Sequence, residues 1–429
     1  MTLSPDGDAH PCPHGSRSIG NVLSHGVAEV WNGSVIKEVR ASILAGNVHD
    51  ICRTSNCPHQ QPNDAFSPPE AQPFLDPEFV NAFDDGWYLE NNPDVRSAVD
   101  RLEFISGLEH FAKFGQAEGR AYRLISCQKE KPNLQTANAL MALQEYSRGA
   151  TEISSLPVDV VLQISSICNL HCVMCGHGMG TVENPRHMPL EIVDKAAPYL
   201  SAAARMIFSG MGEPLLAPGF WKVIANYGGE STVFIRANSN AHFITPEKAT
   251  RIMDSGLKEL SFSLDAATSE IYTRIRGGDF QKALDGAATM CAIRRQHPRK
   301  SLEIFINMTL MRENIAEAPA FVELAHRLQV DAVIFGQLLK FGDQPDWIVR
   351  RDSWWFGYSD QMLRNAPDLA NRCLLEAKAR ADALGVKLIF LQNTHLFLEA
   401  SWVEKTKADL FHASLVGGRE SWIDFDREF

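Results

Sequence analysis

Long apolar runs are missing from this chain. No stretch approaches the roughly 20 residues that a helix needs to cross a bilayer, and the first eight residues have neither the basic start nor the apolar stretch of a secretory signal. Basic side chains are in the minority, with 41 Lys and Arg against 52 Asp and Glu and a formal net charge of -11. Such a surface does not favour phosphate backbones or anionic lipid. We therefore expect a cytoplasmic protein that binds neither nucleic acid nor membrane.

Cysteine is also scarce. Nine cysteines in 429 residues are an odd number, and they are too few for a disulfide scaffold. The hydrophobic share of 45% and the charged share of 22% are those of an ordinary globular protein with two or three cores. Metal ligation is the better first hypothesis, because six of the cysteines lie in two local groups: Cys12, Cys52 and Cys57, and Cys168, Cys172 and Cys175.

The composition divides the chain into zones. The first zone, residues 1–72, is rich in His, Pro, Asn and Gly, and its apolar spacing from Gly26 to Leu44 predicts two short helices broken at Asn32-Gly33. Aromatic residues in the second zone predict a small helical module with its own core. We therefore expect the domains 1–72, a helical module at 73–125, a partly helical linker at 126–150, an α/β domain at 151–345 and a helical and strand extension at 346–429.

The helical module carries a pattern of its own. Its strings run from Trp87-Tyr88-Leu89 through Gly107-Leu108-Glu109 to Glu118-Gly119-Arg120. The pattern resembles a short module attached to enzymes of bacterial surface-carbohydrate assembly. That resemblance implies a sugar as one class of substrate.

From residue 158 onward, short β-branched runs alternate with helical stretches. Such units predict a parallel sheet whose helices make right-handed crossovers and cover one face. The predicted fold class is therefore α/β, a partial (β/α)6 barrel of parallel strands, although periodicity alone does not separate it from a sheet covered on both faces. The predicted strands are 158–164, 206–208, 232–237, 260–264, 302–310 and 331–338, and the predicted helices include 190–200, 246–255, 281–294 and 315–328.

The central cysteines follow the first of these strands directly. Cys168, Cys172 and Cys175 form a C-x3-C-x2-C run, close enough along the chain to converge on one metal centre. Thiolates are soft ligands that suit iron–sulfur clusters or zinc, and the carboxyl ends of parallel strands are where such folds build their sites. A cluster held by three thiolates keeps one iron open. The alternative is a zinc site completed by His171 or His177.

The triplet and a second motif together point to one family. The second strand is followed by Ser209-Gly210-Met211-Gly212-Glu213-Pro214, and over about residues 158–340 the chain resembles the radical S-adenosylmethionine (radical SAM) enzymes. The resemblance implies a [4Fe-4S] cluster on the three cysteines, whose fourth iron takes S-adenosylmethionine. It also implies reductive cleavage of S-adenosylmethionine to a 5′-deoxyadenosyl radical that abstracts hydrogen from a substrate C–H bond. An electron donor such as flavodoxin or ferredoxin is a further implied partner.

The same resemblance implies roles for eight residues around S-adenosylmethionine. One residue lies by the adenine, three approach the methionine ammonium, three contact the ribose or the methionine carboxylate, and one arginine pairs with the carboxylate. Met211 departs from the family's Gly-Gly-Glu-Pro segment. Without the resemblance, the Asn and Asp residues would be turn formers or helix caps, and the arginine would be a solvated surface residue. In the order of the roles, the residues are Met174; Gly210, Gly212 and Glu213; Asn238, Ser263 and Asp265; and Arg276.

The amino-terminal cysteines Cys12, Cys52 and Cys57 belong to a second pattern. Their order and neighbours resemble the SPASM domain, an auxiliary-cluster extension that normally follows the radical domain but here precedes it, without its usual first half. The resemblance implies a second [4Fe-4S] cluster. The alternative is a remnant that is metal-free or binds zinc with help from His14, His49 or His59.

The cluster count decides between two outcomes of the reaction. With a second cluster to take the electron of the substrate radical, the outcome is oxidative, a dehydrogenation or bond formation on a carbohydrate or peptide. Without it, a redox-neutral epimerisation is preferable, in which a thiol such as Cys291 or Cys373 returns hydrogen; both are otherwise buried helix thiols. A hypothesis of another class is a non-catalytic zinc-binding scaffold.

Overall fold

A computed structural model of the chain describes residues 1–12, 17–47, 49–53, 79, 82–100, 104, 106–116, 118–124, 134–229, 233–298, 301–338, 347–351 and 354–391. Its strands are β1 Thr2–Leu3, β2 Asp8–His10, β3 Gly20–Asn21, β4 Asp159–Leu162, β5 Arg205–Phe208, β6 Phe234–Ser239, β7 Glu259–Ser263, β8 Glu303–Leu310, β9 Ala332–Gln337, β10 Ile348–Arg351, β11 Trp354–Gly357 and β12 Lys387–Phe390.

The helices of the described residues begin in the amino-terminal segment and then alternate with the strands. They are α1 Val27–Trp31, α2 Ser34–Leu44, α3 Asp50–Arg53, α4 Asp85–Asn91, α5 Pro93–Asp100, α6 Gly107–His110, α7 Leu134–Ser147, α8 Leu190–Lys195, α9 Ala197–Ala202, α10 Pro218–Tyr227, α11 Pro246–Ser255, α12 Ser269–Arg276, α13 Phe280–Gln296, α14 Ala318–Leu328, α15 Tyr358–Gln361 and α16 Pro367–Leu384, with 3₁₀ turns at Pro214–Leu216, Ile315–Glu317 and Leu363–Asn365 and a π-helical turn at Phe111–Gly115.

The large sheet confirms the predicted fold class. Its strand order is β12-β9-β8-β7-β6-β5-β4-β1-β2-β3, and β4 to β9 are parallel neighbours in chain order. An order without reversal puts every right-handed crossover helix on the same face, so the sheet must curve to cover its other face. β12 pairs with β9 and not with β4, so the barrel stays open. All six predicted strands are present with ends shifted by a few residues.

The predicted helices are present with two differences. The stretch 315–328 begins as the 3₁₀ turn Ile315–Glu317 and continues as α14. The stretch predicted as a single helix over 190–200 is two helices, α8 and α9, which meet at Ala196. Pro198 lies in the first turn of α9, where its missing N–H costs no hydrogen bond, although the same proline would break the interior of one long helix. The two amino-terminal helices broken at Asn32-Gly33 are confirmed.

The first residues of the chain extend the barrel sheet. β1 pairs parallel with β4, with Thr2 opposite Val161, and β2 and β3 continue the sheet in antiparallel pairs. Leu3 and Ala9 are fully buried in the same core as the barrel strands. The Asn32 amide adds a second link, because its Nδ2 donates to the Ile153 carbonyl at 2.8 Å and its Oδ1 accepts from the Ile153 N–H at 3.1 Å.

Helices α4 to α6 pack around a separate aromatic core. Tyr88 and Phe111 are buried there with Phe83, and the Tyr88 hydroxyl lies 3.0 Å from the Nδ1 atom of the buried His110. The backbone of Gly115 passes so near this hydroxyl that a Cβ atom would lie 2.2 Å from it. This packing agrees with the small helical core predicted from the aromatic residues.

The hairpin β10–β11 was not predicted and lies over the central cysteine loop. Its Phe356 packs with Val173 and Ile275 in a small apolar cluster. Arg351 donates from Nη1 to the carbonyls of Thr273 at 3.0 Å and Arg274 at 2.8 Å, and from Nη2 to the carbonyl of His171. The hairpin therefore ties the end of α12 to the cysteine loop.

No helix in the described ranges is both long enough and apolar enough to cross a bilayer.

One glycine on a barrel helix is held against the loop that follows β6. A Cβ on Gly286 of α13 would lie 2.0 Å from the backbone oxygen of Ala241. We expect Gly286→Ala to destabilise the fold by about 1–3 kcal/mol through overpacking, although alanine is the better helix former. The measurement is the thermal unfolding midpoint. Gly86→Ala in α4 is the control, since the nearest atom to its Cβ is at 3.7 Å; an equal loss in both variants would contradict the prediction.

Candidate functional site

The central cysteines lie in a compact loop at the carboxyl end of β4. The Cys175 N–H donates to the Cys172 carbonyl at 3.1 Å, and the Val173 N–H donates to the Ile275 carbonyl at 2.9 Å. Behind the loop, a Cβ on Gly178 would lie 2.2 Å from the Cys172 carbonyl oxygen, so only glycine fits there. Cys172 is buried, and Cys168 and Cys175 are half-buried. One compact loop therefore carries all three predicted ligands.

The environment of these thiols calls for a compensating cation. Burial raises the pKa of Cys168, and it raises the pKa of Cys172 to about 12. A thiolate in such a place is stable only beside positive charge, which an iron–sulfur cluster or a metal supplies. The donor set thus fits the cluster that the sequence implied, with Cys168, Cys172 and Cys175 as the thiolates that would hold it.

A zinc site would require a different arrangement of the ligands. Among the residues that the structure describes, no three His, Cys, Asp or Glu side chains are grouped to hold a single metal ion. In a cuboidal cluster each thiolate binds a different iron, so the three sulfurs need not converge on one point. His171 and His177 have their ring centroids 5.6 Å apart beside the loop.

Arg276 contributes the buried positive charge of the site. Its Nη1 donates to Asp265 Oδ2 at 2.9 Å, and both side chains are buried. Burial alone would lower the pKa of Arg276, but the neighbouring Cys172 and Asp265 raise it, so the guanidinium stays charged. Its Nε atom is buried and has no hydrogen-bond partner within the described part of the chain. An unpaired buried donor beside the cysteine loop fits an anionic ligand there.

The Asp265 carboxylate makes its contacts within the protein. It takes a positive φ of 60° just after β7, its Oδ1 accepts the Thr309 N–H at 2.6 Å, and its carbonyl accepts from Asn314 Nδ2 at 2.9 Å. With Oδ2 on Arg276, both carboxylate oxygens are engaged. The geometry makes Asp265 a support for Arg276.

Glu213 is likewise engaged by the protein. It caps the 3₁₀ turn after β5: Oε1 accepts from the Leu215 N–H at 3.2 Å and the Ser239 hydroxyl at 2.9 Å, and Oε2 accepts from the Asn240 N–H at 2.8 Å. Burial raises the pKa of Glu213, and these hydrogen bonds oppose the shift. The carboxylate joins the loops after β5 and β6, and Oε2 retains capacity for one more donor.

The glycines near Glu213 let the second loop lie against the first. A Cβ on Gly212 would lie 2.3 Å from the carbonyl oxygen of Ser165, where the cysteine loop begins. Met211 is 45% exposed, and its sulfur lies against Gly176, directly after the last cysteine. Met211, which departs from the family motif, therefore contacts the cysteine loop. The Gly210 backbone continues from β5 into the same turn.

The remaining predicted residues lie at the same edge of the barrel. Asn238 on β6 donates from Nδ2 to the Ser209 hydroxyl at 3.2 Å, and Ser263 ends β7 half-buried. Met174 packs against the apolar cluster under the hairpin β10–β11. Thus six of the eight predicted S-adenosylmethionine residues lie at or just after the carboxyl ends of β5, β6 and β7. Met174 lies in the cysteine loop itself, and Arg276 ends α12.

The site contains residues for which the sequence suggested no role. Asn240 Nδ2 lies 3.8 Å from the Cys168 sulfur and donates to Asn169 Oδ1 at 2.8 Å. His242 and Tyr272 continue this buried contact, with His242 Nε2 3.0 Å from the Tyr272 hydroxyl. Asn240 and Tyr272 lie in the same motifs as Asn238 and Arg276. Their closeness to these two residues along the chain is the sequence feature that could have indicated a role in the site.

The arginine motif also packs on the cysteine loop through its glycines. A Cβ on Gly278 would lie 2.4 Å from Leu170 Cδ2 and 3.1 Å from His242 Cε1. The close approach explains the glycine at position 278, and Gly277 takes a positive φ of 69° at the end of α12.

Of the amino-terminal cysteines, Cys12 is half-buried just after β2. Cys52 lies on α3, whose bounds are described although nothing is described of the Cys52 side chain. Cys57, His14 and His59 lie outside the described residues. The predicted second cluster therefore stays a prediction as far as its ligands are concerned.

The other two described thiols lie on helices. Cys291 is buried on α13 and interacts with Asp331, which precedes the amino end of β9. Cys373 is buried on α16. The central cysteines instead follow the carboxyl end of β4, so Cys291 is at the opposite end of the barrel.

A loop of three cysteines at the carboxyl edge of an open parallel barrel fits an iron–sulfur cluster. Residues 162–325 match the family model of the Radical SAM superfamily, and residues 1–58 match the SPASM model, described as an iron-sulfur cluster-binding domain. The chain therefore carries a radical SAM domain preceded by a SPASM-type segment, as predicted. Both matches also confirm the predicted cofactors, [4Fe-4S] clusters and S-adenosylmethionine.

Similar proteins include mycofactocin maturase MftC of Mycobacterium tuberculosis, 26% identical over 186 residues that cover 43% of this chain and 45% of the relative. The AdoMet-dependent heme synthase of Methanosarcina barkeri is 27% identical over 212 residues, 47% of this chain and 56% of the relative. The chain spans about half the length of these relatives. Among solved structures, Streptococcus suis SuiB bound to S-adenosylmethionine has a TM-score of 0.42 and 13% identity, covering 68% of this chain and 60% of that chain.

Removing the charge of Asp265 tests the buried ion pair. We expect Asp265→Asn to lower the free energy of unfolding by about 3–5 kcal/mol, because Arg276 keeps its charge without a partner. Chemical denaturation under oxygen-free conditions measures this. The control is Glu323→Gln, which breaks an ion pair with Arg380 whose two side chains are 40% and 47% exposed; it should cost under about 1 kcal/mol. Equal costs in the two variants would refute the role of Asp265.

Proposed function

We propose that this protein is a radical SAM oxidoreductase acting on a carbohydrate or peptide. Cys168, Cys172 and Cys175 hold the [4Fe-4S] cluster, and the residues at the neighbouring strand ends hold S-adenosylmethionine. When bound, these groups supply a 5′-deoxyadenosyl radical that abstracts hydrogen from a substrate C–H bond. The observation that carries the proposal is the loop of one buried and two half-buried thiols with a charged, incompletely paired Arg276 beside it.

The side chains divide the work of binding and orientation. Arg276 pairs with the methionine carboxylate, and Asp265 acts through Arg276 by holding its guanidinium in place. The free capacity of Glu213 Oε2 receives the methionine ammonium. Asn238 and Ser263 bind the ribose from the rim of the barrel.

Three further residues complete the S-adenosylmethionine site. The Met174 side chain lies by the adenine. Gly210 and Gly212 present backbone groups to the methionine portion, which the close packing of Gly212 on the cysteine loop supports. The hairpin β10–β11 covers one side of the loop and limits the access of water to it.

An oxidative outcome follows from a second cluster in the SPASM-type segment. Cys12, Cys52 and Cys57 are its proposed ligands, and this cluster would accept the electron of the substrate radical. An electron donor such as flavodoxin or ferredoxin would supply the electron that cleaves S-adenosylmethionine. The redox-neutral alternative needs a thiol near the substrate, and Cys291 lies near the amino end of β9 instead. We therefore favour dehydrogenation or bond formation over epimerisation.

The substrate class and the domain limits are part of the same proposal. The relatives carry names of different reactions, a maturase, a heme synthase and a GTP 3′,8-cyclase, so they do not select one substrate. The helical module at 73–125 supports a sugar, and the SPASM-type segment at 1–72 supports a peptide. The radical SAM domain spans 151–345, with a linker at 126–150 before it and an extension at 346–429 after it. We place the reaction in the cytoplasm, where free thiols stay reduced.

Cleavage of S-adenosylmethionine is the direct test of the proposed function. Reconstituted protein incubated without oxygen with a strong reductant and S-adenosylmethionine should form 5′-deoxyadenosine. Cys172→Ala should lose this product, because one of the three ligands is gone, whereas Cys291→Ala should keep it. Chromatography of the quenched mixture measures the product. Unchanged turnover by Cys172→Ala would refute the ligand assignment.

Iron content tests the second cluster. The reconstituted protein should bind about eight irons per chain, and Cys12→Ala should lower this number toward about four. Iron and sulfide analysis after gel filtration measures the content. Four irons in the wild-type protein would remove the argument for an oxidative outcome and leave the first cluster intact.

A further inference from the structure

The Cys168 sulfur receives two hydrogen bonds from the protein. The Leu170 backbone N–H donates to it at 3.5 Å, and Asn240 Nδ2 donates to it at 3.8 Å. Within the described part of the chain, no group donates to the sulfur of Cys172 or of Cys175. Leu170 is two positions from Cys168, whereas Asn240 ends up beside it from 72 positions further along the chain. The three predicted ligands therefore differ in the hydrogen bonds at their sulfurs.

Two contacts hold the backbone and the side chain of Asn240 in place. The Asn240 N–H donates to Glu213 Oε2 at 2.8 Å, and the His242 N–H donates to Asn240 Oδ1 at 3.0 Å. Ala241 between them has a positive φ of 66°, and Asn240 is only 4% exposed. A backbone N–H can only donate, so the oxygen of the Asn240 amide must face His242 and its nitrogen must face the other way.

The two N–H groups of this nitrogen have one acceptor each. Asn240 Nδ2 donates to Asn169 Oδ1 at 2.8 Å, and the hydrogen that Asn169 does not use is available for the Cys168 sulfur. A cysteine bound to iron has lost its proton, and a hydrogen bond to an ionised acceptor is stronger than one to a neutral acceptor. The arrangement therefore suits a thiolate at position 168 better than a thiol.

We propose that Asn240 donates to the Cys168 thiolate of the bound cluster and thereby raises the reduction potential of that cluster. Reduction adds negative charge, which a hydrogen bond at a cluster sulfur stabilises. Water screens this contact little, because Asn240 is buried. The inference rests on the proposed function, since it requires a cluster on the central cysteines.

Asn240→Ala tests the effect on the potential. The midpoint potential of the cluster, from an electron paramagnetic resonance titration of the reconstituted full chain without S-adenosylmethionine, should shift to a more negative value. The control is Asn238→Ala, which removes the same amide group at the same edge of the barrel. Asn238 Nδ2 donates to the Ser209 hydroxyl at 3.2 Å and not to a cysteine sulfur, so its loss should leave the midpoint unchanged.

Isotope labelling tests the contact itself. Protein whose asparagines carry ¹⁵N at the side-chain nitrogen should show a ¹⁵N hyperfine coupling to the reduced cluster in pulsed electron paramagnetic resonance. Asn240→Asp should lose this coupling, because its carboxylate keeps an acceptor for the His242 N–H but has no N–H to donate. Asn238→Asp should keep it. The coupling reports a contact with the cluster that a merely structural role of Asn240 would not produce, and it decides the matter if Asn240→Ala fails to retain its cluster.

The outcomes separate the inference from the function on which it rests. An unchanged midpoint in Asn240→Ala, an equal shift in Asn238→Ala, or a coupling that is absent from the wild-type protein or persists in Asn240→Asp would overturn the role of Asn240. Absence of a [4Fe-4S] signal in the wild-type protein would instead refute the proposed function. A more negative midpoint together with loss of the coupling would support the inference.

Discussion

The central constraint on this molecule is the placement of one buried and two half-buried thiols in a loop beside a buried guanidinium. Burial raises the pKa of Cys168 and Cys172, while Arg276 opposes that shift in both. Arg276 in turn stays charged because Asp265 pairs with it. This requirement constrains several loops, because each must bring a polar group or a close-packed glycine to the same edge of the barrel.

The parallel barrel meets the constraint because consecutive strands deliver consecutive loops to one edge. The cysteine loop follows β4, Glu213 follows β5, Asn240 and His242 follow β6, and Asp265 follows β7. Glu213 joins two of these loops by accepting the Asn240 N–H, and Asp265 joins the loop after β7 to strand β8 by accepting the Thr309 N–H. The residues implied to touch S-adenosylmethionine therefore also hold the loops together, so their replacement acts on the structure and on the ligand at once.

Elements outside the repeated strand–helix units complete the site. The hairpin β10–β11 packs on Val173 and reaches the cysteine loop through Arg351. At the other edge of the barrel sheet, β1 pairs with β4, the strand that leads into the cysteines. Strand β4, which leads into the cysteine loop, thus has β5 of the radical SAM domain on one side and β1 of the SPASM-type segment on the other.

By itself, the sequence determined what depends on local pattern. The spacing of Cys168, Cys172 and Cys175 within one loop, and the alternation that produced β4 to β9, are short-range properties that a reader of the sequence can recognise. Tertiary structure alone decided which strand ends meet. The contact of His242 with Tyr272, the closure of Arg351 on His171 and the pairing of Thr2 with Val161 join residues 30, 180 and about 160 positions apart. No local pattern records such a pairing, because it depends on the curvature of the sheet and on the order in which its strands pack.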